Sequence, residues 1–430
     1  MNKTVYNSYI EILRRELVPA LGCTEPISIA FACAKAREVL GCFPDHMEIH
    51  CSGNIIKNVK GVTVPNSGGL KGVKAAAVLG AVVGTPEKEL EVLDDTSEEH
   101  IEKTKKLLDA DFCRYFLEED VDSLYLHARL FSGGDSSEVT IINRHTFITK
   151  IVKNGETIYE CVPVSDVSEG EDDSFETLNV KEILEFAECL NVNEVSELFE
   201  RQIAMNCAIA DEGLKNPYGA QIGTTILQIY GNNVISRARA RSAAGSDARM
   251  SGCSLPVVIN SGSGNQGITV TVPVVEFAAE LGADTEKLYR ALAVSNLISI
   301  HQKRYIGSLS AYCGAVSAAC GAGAAITYLH GGGYEAVGRT IINTIANVGG
   351  ILCDGAKPSC AAKIASSVEA AVTAHYLSHN KRVFLPGEGL VGSDTEETIK
   401  YFGYIGRVGM KSADSEILKL MTNETDAETF

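Results

Sequence analysis

Two cysteine pairs in the last third of the chain lie in stretches made almost entirely of small residues. Cys313 and Cys320 are seven positions apart, as are Cys353 and Cys360, and their neighbours are mostly glycine, alanine and serine. Because small side chains let backbones approach closely, these stretches favour a tightly packed interior without water. Several thiols gathered in such an interior indicate a site for a soft metal. No cysteine follows Cys360, so such a site is completed from upstream or left open.

The first pair lies in a long uncharged segment, residues 306–329, which is long enough to cross a bilayer. Its residues are mainly glycine, alanine, serine and cysteine rather than leucine, isoleucine and valine, so its transfer into lipid would be only weakly favourable. We therefore predict a buried helix here and no membrane partner.

Composition and charge exclude several classes of protein. The chain has 430 residues, of which 45% are hydrophobic and 22% charged, which is enough for an ordinary core and for two or three domains. A net charge of -17 repels phosphate backbones, so we expect no nucleic-acid partner. The first twenty residues resemble an amphipathic helix of the mature protein rather than a secretory signal. The thirteen cysteines are then expected to be thiols in the reducing cytoplasm.

The pattern along the chain predicts an α+β fold, with a mainly helical catalytic core and a smaller strand-containing portion from the first half. Residues 1–84 are predicted to form the N-terminal part of that core, with two helices around an extended stretch at 46–69. Residues 85–175 are predicted to contain a charged helix at 85–122 and a hairpin turning at Asn154-Gly155. An acidic linker at 166–175 then leads to the helical remainder, 176–430.

Cys23 stands before Thr24 and Pro26, a pattern typical of a helix start. Unpaired amides and the positive dipole end at a helix N-terminus favour a thiolate, so Cys23 is a better candidate base or nucleophile than Cys33 or Cys42. A packed thiol at a helix start is an equally good interpretation of this motif alone.

Two glycine-rich loops could bind an anion through their backbone amides. One is NSGSGNQGITVTVPV at 260–274, where Asn265 and Gln266 add side-chain donors, and the other is PNSGGLKG at 65–72, where Lys71 adds a cation. Structural turns are the alternative interpretation of both loops.

Cations are concentrated in two places, in an otherwise acidic chain. Arg237, Arg239, Arg241 and Arg249 lie close together in the sequence, and a Lys303-Arg304 pair precedes the first cysteine pair. Guanidinium groups suit carboxylates, so one of these side chains could bind a substrate carboxylate. Surface charge that balances nearby acids is the alternative for each.

The cysteine pairs themselves allow three interpretations. Structural zinc prefers two to four residues between paired ligands, and these pairs have six. Four buried thiols without metal are a second possibility. A cubane iron–sulfur cluster on three of the four thiols would leave one iron without a protein ligand, free to act as a Lewis acid.

Four motifs together resemble one known family. LVPALGCTEP, SGNIIKNVKGVTVPNSGG, SGSGNQGITVTVPV and the cysteine-containing CGAVSAACGAGAA with CDGAKPSC are similar to the bacterial and archaeal L-cysteine desulfidases, relatives of the α chain of iron–sulfur L-serine dehydratases. The likeness covers nearly the whole chain, and GCTEP and the order of the cysteines are its specific parts. Serine dehydratases have a Ser/His-rich loop in place of GCTEP, which favours the desulfidase branch.

The resemblance implies a [4Fe-4S] cluster held by Cys313, Cys353 and Cys360, with Cys320 as a helix neighbour and Cys23 as the proton acceptor. The expected reaction is β-elimination of L-cysteine to pyruvate, ammonia and sulfide. L-serine dehydratase and a metal-free regulatory relative are the alternatives. The expected partner is a small amino-acid substrate, and a homo-oligomer is left open. Substrate binding is assigned to polar residues of the loops and their surroundings, namely Asn54, Lys71, Ser263, Asn265, Gln266 and Lys303.

Overall fold

The computed structural model describes residues 1–161, 173–307 and 309–422. The described α-helices are α1 (Lys3–Glu16), α2 (Thr24–Leu40), α3 (Gly53–Lys60), α4 (Val73–Val83), α5 (Glu98–Asp109), α6 (Asp173–Glu176), α7 (Val180–Cys189), α8 (Ser196–Lys215), α9 (Ile222–Tyr230), α10 (Val234–Met250), α11 (Gly264–Glu280), α12 (Thr285–Ile306), α13 (Gly314–Leu329), α14 (Tyr334–Val348), α15 (Cys360–His379), α16 (Thr395–Tyr404) and α17 (Lys411–Thr422). The strands are β1 (Pro19–Leu21), β2 (His46–Ser52), β3 (Cys113–Glu118), β4 (Tyr125–Ser132), β5 (Asp135–Ile142), β6 (Ile148–Lys153), β7 (Glu156–Glu160) and β8 (Pro256–Val258). Short 3₁₀ segments at Pro86–Glu91 and Val192–Glu194 and a π-helical turn at Ile405–Gly409 complete the elements.

The first half of the chain forms a six-stranded mixed sheet in the order β3-β2-β4-β5-β6-β7. β2 pairs in parallel with β3, and the other neighbours are antiparallel. The predicted hairpin is confirmed as β6–β7, with Asn154 and Gly155 at φ 51° and 79°. Positive φ at both central residues matches the right-handed twist of the strands, which explains the Asn-Gly pair.

Helices α2 and α4 form the inner layer against this sheet. Thirteen of the seventeen residues of α2 are buried, and α2 packs on β4 and β5. The two helices cross closely because Gly80 of α4 lies against Ala30, where a Cβ would come within 2.3 Å of the Ala30 carbonyl oxygen. Since β2 lies between β3 and β4, the sheet draws strands from both sides of residue 84.

The second half is a helical layer built around α13, in which all but one residue are buried. α13 packs against α11, α12, α14 and α15. Its small residues permit these close contacts: a Cβ on Gly321 would lie 2.3 Å from the Ser295 carbonyl oxygen of α12. The buried helix predicted within 306–329 is therefore confirmed. No helix in the described part of the chain is long and apolar enough to cross a membrane.

A mostly helical fold with a strand-containing first half is as predicted, but two local predictions fail. The stretch predicted as extended at 46–69 continues from β2 directly into α3, because the Ser52 hydroxyl caps that helix by accepting from the Ile55 amide. The charged helix predicted for 85–122 ends at Asp109, and the apolar run from Cys113 becomes strand β3. The β-branched run after the 260–263 loop is helical, in α11, in agreement with the predicted helical remainder. The linker predicted at 166–175 lies mostly outside the described residues.

A two-stranded antiparallel pair joins the layers where the site forms. β1 pairs with β8, with Leu21 opposite Pro256 and Pro19 opposite Val258. Cys23 follows β1 and the 260–263 loop follows β8, so the pairing brings both to one place. The Thr24 hydroxyl then donates to the Gly262 carbonyl oxygen at 2.8 Å.

Candidate active site

A cavity of about 530 Å³ lies where the two layers meet. Four helices begin at its wall: Cys23 is the N-cap of α2, Ser263 of α11 and Cys313 of α13, and Cys360 is the first residue of α15. The amides and positive dipole ends of four helices therefore converge on one cavity, an arrangement that attracts negatively charged groups.

Cys313, Cys353 and Cys360, here called the three-cysteine wall, all line this cavity. A short antiparallel bridge between Tyr312 and Leu352 places the first two side by side. In it the Cys313 amide donates to the Ile351 carbonyl at 3.0 Å, and the Cys353 amide donates to the Ala311 carbonyl at 2.7 Å. Two segments forty residues apart are thus held in fixed register by backbone hydrogen bonds.

The loop from Cys353 to Cys360 is fixed by a glycine and by ion pairs. Gly355 has φ 91°, and a Cβ there would lie 2.3 Å from the Lys57 carbonyl oxygen, so only glycine fits this approach to α3. The Asp354 carboxylate pairs with Lys357 and Lys363, which holds two cations close to the thiols. The loop thereby returns Cys360 to the wall that carries Cys353.

The protonation of the three thiols depends on these neighbours. A hydrogen bond from Cys313 lowers the pKa of Cys353 to about 6; burial opposes this, and Lys57 and Lys357 reinforce it. The same hydrogen bond, together with burial, raises the pKa of Cys313, and burial raises that of Cys360. One thiolate is already favoured, and the surrounding lysines suit a site that becomes more anionic.

The three-cysteine wall offers three thiol donors, the type of ligand that soft metals and iron–sulfur clusters use. Among the residues that the structure describes, no three His, Cys, Asp or Glu side chains are grouped closely enough to hold one metal ion. In a cubane cluster each thiolate binds a different iron, so its ligands need not converge on one atom. Cys320 lies apart from the cavity, fully buried in the helical core, with its Sγ 3.9 Å from the Ile341 carbonyl oxygen.

Cys23, Glu25, Asn58 and His145 form a second group on the cavity, here called the Cys23 corner. The predicted helix start after Cys23 is confirmed, but the predicted thiolate is not. Cys23 is 2% exposed, and its Sγ lies 3.0 Å from Glu25 Oε2. Burial and the Glu25 carboxylate raise the pKa of Cys23 well above its usual value, which outweighs the helix dipole.

Glu25 is the charged centre of this corner. Its Oε1 accepts from Asn58 Nδ2 at 2.9 Å, and its Oε2 lies 3.2 Å from the Thr24 hydroxyl. Burial raises its pKa, but His145, the Cys23 thiol and more distant Arg249 outweigh burial, so the pKa of Glu25 lies below its usual value. Burial also lowers the pKa of His145. The resting corner is therefore a thiol hydrogen-bonded to a carboxylate, a pair that can exchange one proton.

The structure brings together four of the six residues assigned to substrate binding. Ser263, Asn265, Gln266 and Lys303 line the cavity.

The other two assigned residues, Asn54 and Lys71, do not line the cavity. Asn54 lies on the first turn of α3, and the next turn brings Asn58 to Glu25 instead. Lys71 is held in an isolated bridge with Thr63, and its side chain is exposed.

Three further cavity residues received no role from the sequence, namely Glu25, Asn58 and His145, and a fourth, Arg249, was one of several arginine candidates for a substrate carboxylate. Glu25 stands in the GCTEP motif, so its position two residues after Cys23 was an available signal. His145 comes from the turn between β5 and β6, and the Ser28 hydroxyl donates to its carbonyl oxygen at 2.6 Å. That contact depends on how the sheet packs against α2, which no local pattern reveals.

Comparisons with known proteins place the chain among relatives of similar length. A family model described as serine dehydratase alpha chain matches residues 87–419. The UPF0597 protein of Lachnoclostridium phytofermentans is 51% identical over 97% of this chain and 100% of its own length. That of Finegoldia magna is 48% identical over 96% and 99%, and that of Bacteroides fragilis is 36% identical over 99% and 100%. The family model begins after the Cys23 corner, apart from His145, whereas these alignments extend over almost the whole chain.

Proposed function

Because the chain belongs to the UPF0597 family and carries a serine dehydratase alpha chain region, we propose that it is a [4Fe-4S]-dependent β-eliminating lyase acting on L-cysteine. The observation that carries this proposal is the shared cavity: the three-cysteine wall and the Cys23–Glu25 pair open on one space of about 530 Å³. That volume accommodates a small amino acid beside a cluster.

Cys313, Cys353 and Cys360 would hold the cluster. When bound, it supplies an iron without a protein ligand, a Lewis acid for a substrate carboxylate or leaving group. Lys57, Lys357 and the N-terminus of α13 stabilise the thiolates that such binding requires.

The Cys23 corner supplies the proton acceptor. The Cα–H of an amino acid is a weak acid, so a base must be positioned against it. Cys23 is a thiol at rest, and the proton on its Sγ must leave before the Cα proton can arrive. Glu25 Oε2, 3.0 Å away, is placed to take it. The Cα proton then passes to Cys23 Sγ, the β-sulfur leaves as sulfide, and the aminoacrylate hydrolyses to pyruvate and ammonia.

L-Serine is the second candidate substrate, and the match to a serine dehydratase alpha chain is the observation that favours it. Elimination from serine would need the same base and would release water instead of sulfide. GCTEP in place of a Ser/His-rich loop favours cysteine. We further propose a cytoplasmic protein whose partner is the amino acid, without nucleic acid or membrane; a homo-oligomer is left open.

The test is anaerobic purification, with iron and acid-labile sulfide measured beside pyruvate and sulfide release from L-cysteine and L-serine. We expect about four irons and four sulfides per chain, since the cofactor is a cubane. Faster release from L-cysteine is expected. A colourless protein with stoichiometric zinc would overturn the cluster, and faster turnover of L-serine would transfer the assignment to serine dehydratase. A folded protein without cluster that is inactive on both substrates would support the metal-free regulatory relative.

A further inference from the structure

Three of the four clustered arginines have carboxylate partners. Arg237 pairs with Glu276 and Glu280, and Arg241 pairs with Asp211 and Glu276. Arg239 pairs with Glu369 at 2.6 Å. All lie on α10, and these pairs link α10 to α8, α11 and α15. Their role is therefore explained by helix packing.

Arg249, in the last turn of the same helix, differs from the other three. It is 2% exposed and lines the cavity, and its Nε, like that of Arg239, is buried without a hydrogen-bond partner. It forms no ion pair with any residue that the structure describes. A buried guanidinium without such a partner is costly, so this position calls for an anion.

Arg249 also lies against the positive end of a helix. A Cβ on Gly264 would lie 2.4 Å from Arg249 Nε and 2.8 Å from its Cζ, so the guanidinium lies directly against the first turn of α11. The positive dipole end of α11 repels a cation, yet the fold places one there. A carboxylate in the cavity would satisfy the helix end and the guanidinium together.

Glu25 does not fill this role. It lies within electrostatic reach of Arg249, but Cys23, Thr24 and Asn58 already occupy its two oxygens. The guanidinium donors remain available to a ligand.

Two unpartnered acceptors lie next to this cation. Asn265 Oδ1 and Gln266 Oε1 are buried without hydrogen-bond partners, on the same first turn of α11. Gln266 packs against Gly314, where a Cβ would come within 2.6 Å of its amide carbon, and Gly314 directly follows Cys313. Gln266 thus connects the helix turn that contacts Arg249 with the start of α13, which follows Cys313.

We infer that Arg249 binds the α-carboxylate of the substrate and that the amide oxygens of Asn265 and Gln266 accept from its α-ammonium group. This inference rests on the proposed function and defines its substrate class: zwitterionic α-amino acids, with amines that lack a carboxylate excluded. An amino acid whose carboxylate and ammonium groups are both bound in this way has its Cα close to Arg249. That position lies in the cavity that Cys23 and the three-cysteine wall also line.

The experiment compares L-cysteine with 2-aminoethanethiol, which differs by the carboxylate alone. Dissociation constants are measured on the cluster-loaded protein by anaerobic stopped-flow absorbance, from the binding phase that precedes turnover. We expect the wild type to prefer L-cysteine by about 10- to 100-fold, the range for a hydrogen-bonded charge. Arg249→Gln should weaken L-cysteine binding to the level of the amine and leave amine binding unchanged. Arg249→Lys should retain part of the preference.

Arg239→Gln is the matched control, since it removes a buried guanidinium from the same helix outside the cavity. This variant should prefer L-cysteine over 2-aminoethanethiol as strongly as the wild type does. A folded Arg249→Gln protein with the wild-type preference would overturn the inference and assign the carboxylate to another group, such as cluster iron. Equal wild-type binding of both ligands would also overturn it, without any variant. Failure of the proposed function is distinct, because L-cysteine would then bind without turnover, or not bind at all.

Discussion

The cavity carries two sets of cysteine thiols whose charged neighbours are opposite in sign. Cys23 lies 3.0 Å from a carboxylate, which together with burial raises its pKa. Cys353 lies near Lys57 and Lys357, and its pKa falls to about 6 through the Cys313 hydrogen bond and these cations. Cys23 is buried and Cys353 is half-buried. Burial raises the pKa of both thiols, so burial alone does not explain why the pKa of Cys353 falls.

The difference teaches that helix position alone does not decide what a cysteine can do here, because burial and the neighbouring groups together set its pKa. Cys23 and Cys313 are both helix N-caps, and neither has a lowered pKa. A thiol beside a carboxylate keeps its proton, which can then be transferred. Lysines near a thiol favour the thiolate that binds a metal. One residue type thus serves proton transfer in one group and ligation in the other.

The largest expected effect comes from Cys353→Ala. Without this thiolate the cluster should not assemble, so iron, acid-labile sulfide, visible absorbance and turnover should all be lost. Cys320→Ala is the matched control, because Cys320 is buried on α13 but lies away from the cavity. That variant should keep its cluster. Cluster loss in Cys320→Ala with retention in Cys353→Ala would assign the ligands differently.

Cys23→Ala should have the opposite pattern, with the cluster retained and turnover reduced about 10²- to 10⁴-fold, the usual contribution of a positioned base. Iron content and product release measured on one preparation separate these properties. Cys33→Ala, which removes a buried thiol from the same helix away from the cavity, should change neither. Cys23 packs near Cys360. Iron loss in Cys23→Ala would therefore identify Cys23 as a fourth cluster ligand and contradict the separate roles given to the two sets of thiols.

Much of the fold could be predicted because its signals are local. Asn154-Gly155 defined a hairpin, and the small residues of α13 indicated close helix packing. The failures at α3 and β3 have local causes as well: Ser52 caps a helix inside a stretch with strand-like residues, and a short apolar run does not distinguish strand from helix.

The site was less predictable because it depends on contacts between distant segments. Cys23 and the cysteine pairs were recognisable as reactive residue types in specific motifs. Arg249 could not be separated from Arg237, Arg239 and Arg241, since the difference is the missing carboxylate partner. The raised pKa of Cys23 depends on burial and on the rotamer of Glu25, neither of which spacing encodes.

Glu25→Gln should sharpen the comparison at the Cys23 corner. Glutamine keeps the shape but removes the charge that raises the pKa of Cys23, so that pKa should fall. The pH midpoint for alkylation of Cys23, followed by mass spectrometry on the cluster-loaded protein, should move down. Turnover should fall about 100-fold, because the proton of Cys23 loses its acceptor. Glu276→Gln, a buried carboxylate outside the cavity, should leave both unchanged; wild-type turnover in Glu25→Gln would remove Glu25 from the proton path.

The smallest expected effect concerns His375, a titratable group in the helical layer away from the cavity. Burial, aided by His330 and His379, lowers its pKa to about 4 from an ordinary value near 6.5. Between pH 4 and pH 6.5 the imidazole is protonated in the unfolded chain but not in the folded protein. The contribution of His375 to the free energy of unfolding is therefore complete above pH 6.5 and is lost as the pH falls toward 4.

Urea midpoints of the cluster-free protein at pH 7 and pH 5 measure this contribution. The decrease should be smaller in His375→Gln than in the wild type, and the pH dependence of turnover in the cluster-loaded enzyme should be the same in both. An equal decrease in both proteins would show that His375 does not titrate in this range. A changed pH dependence of turnover in His375→Gln would show that a proton away from the Cys23 corner affects catalysis as well as stability.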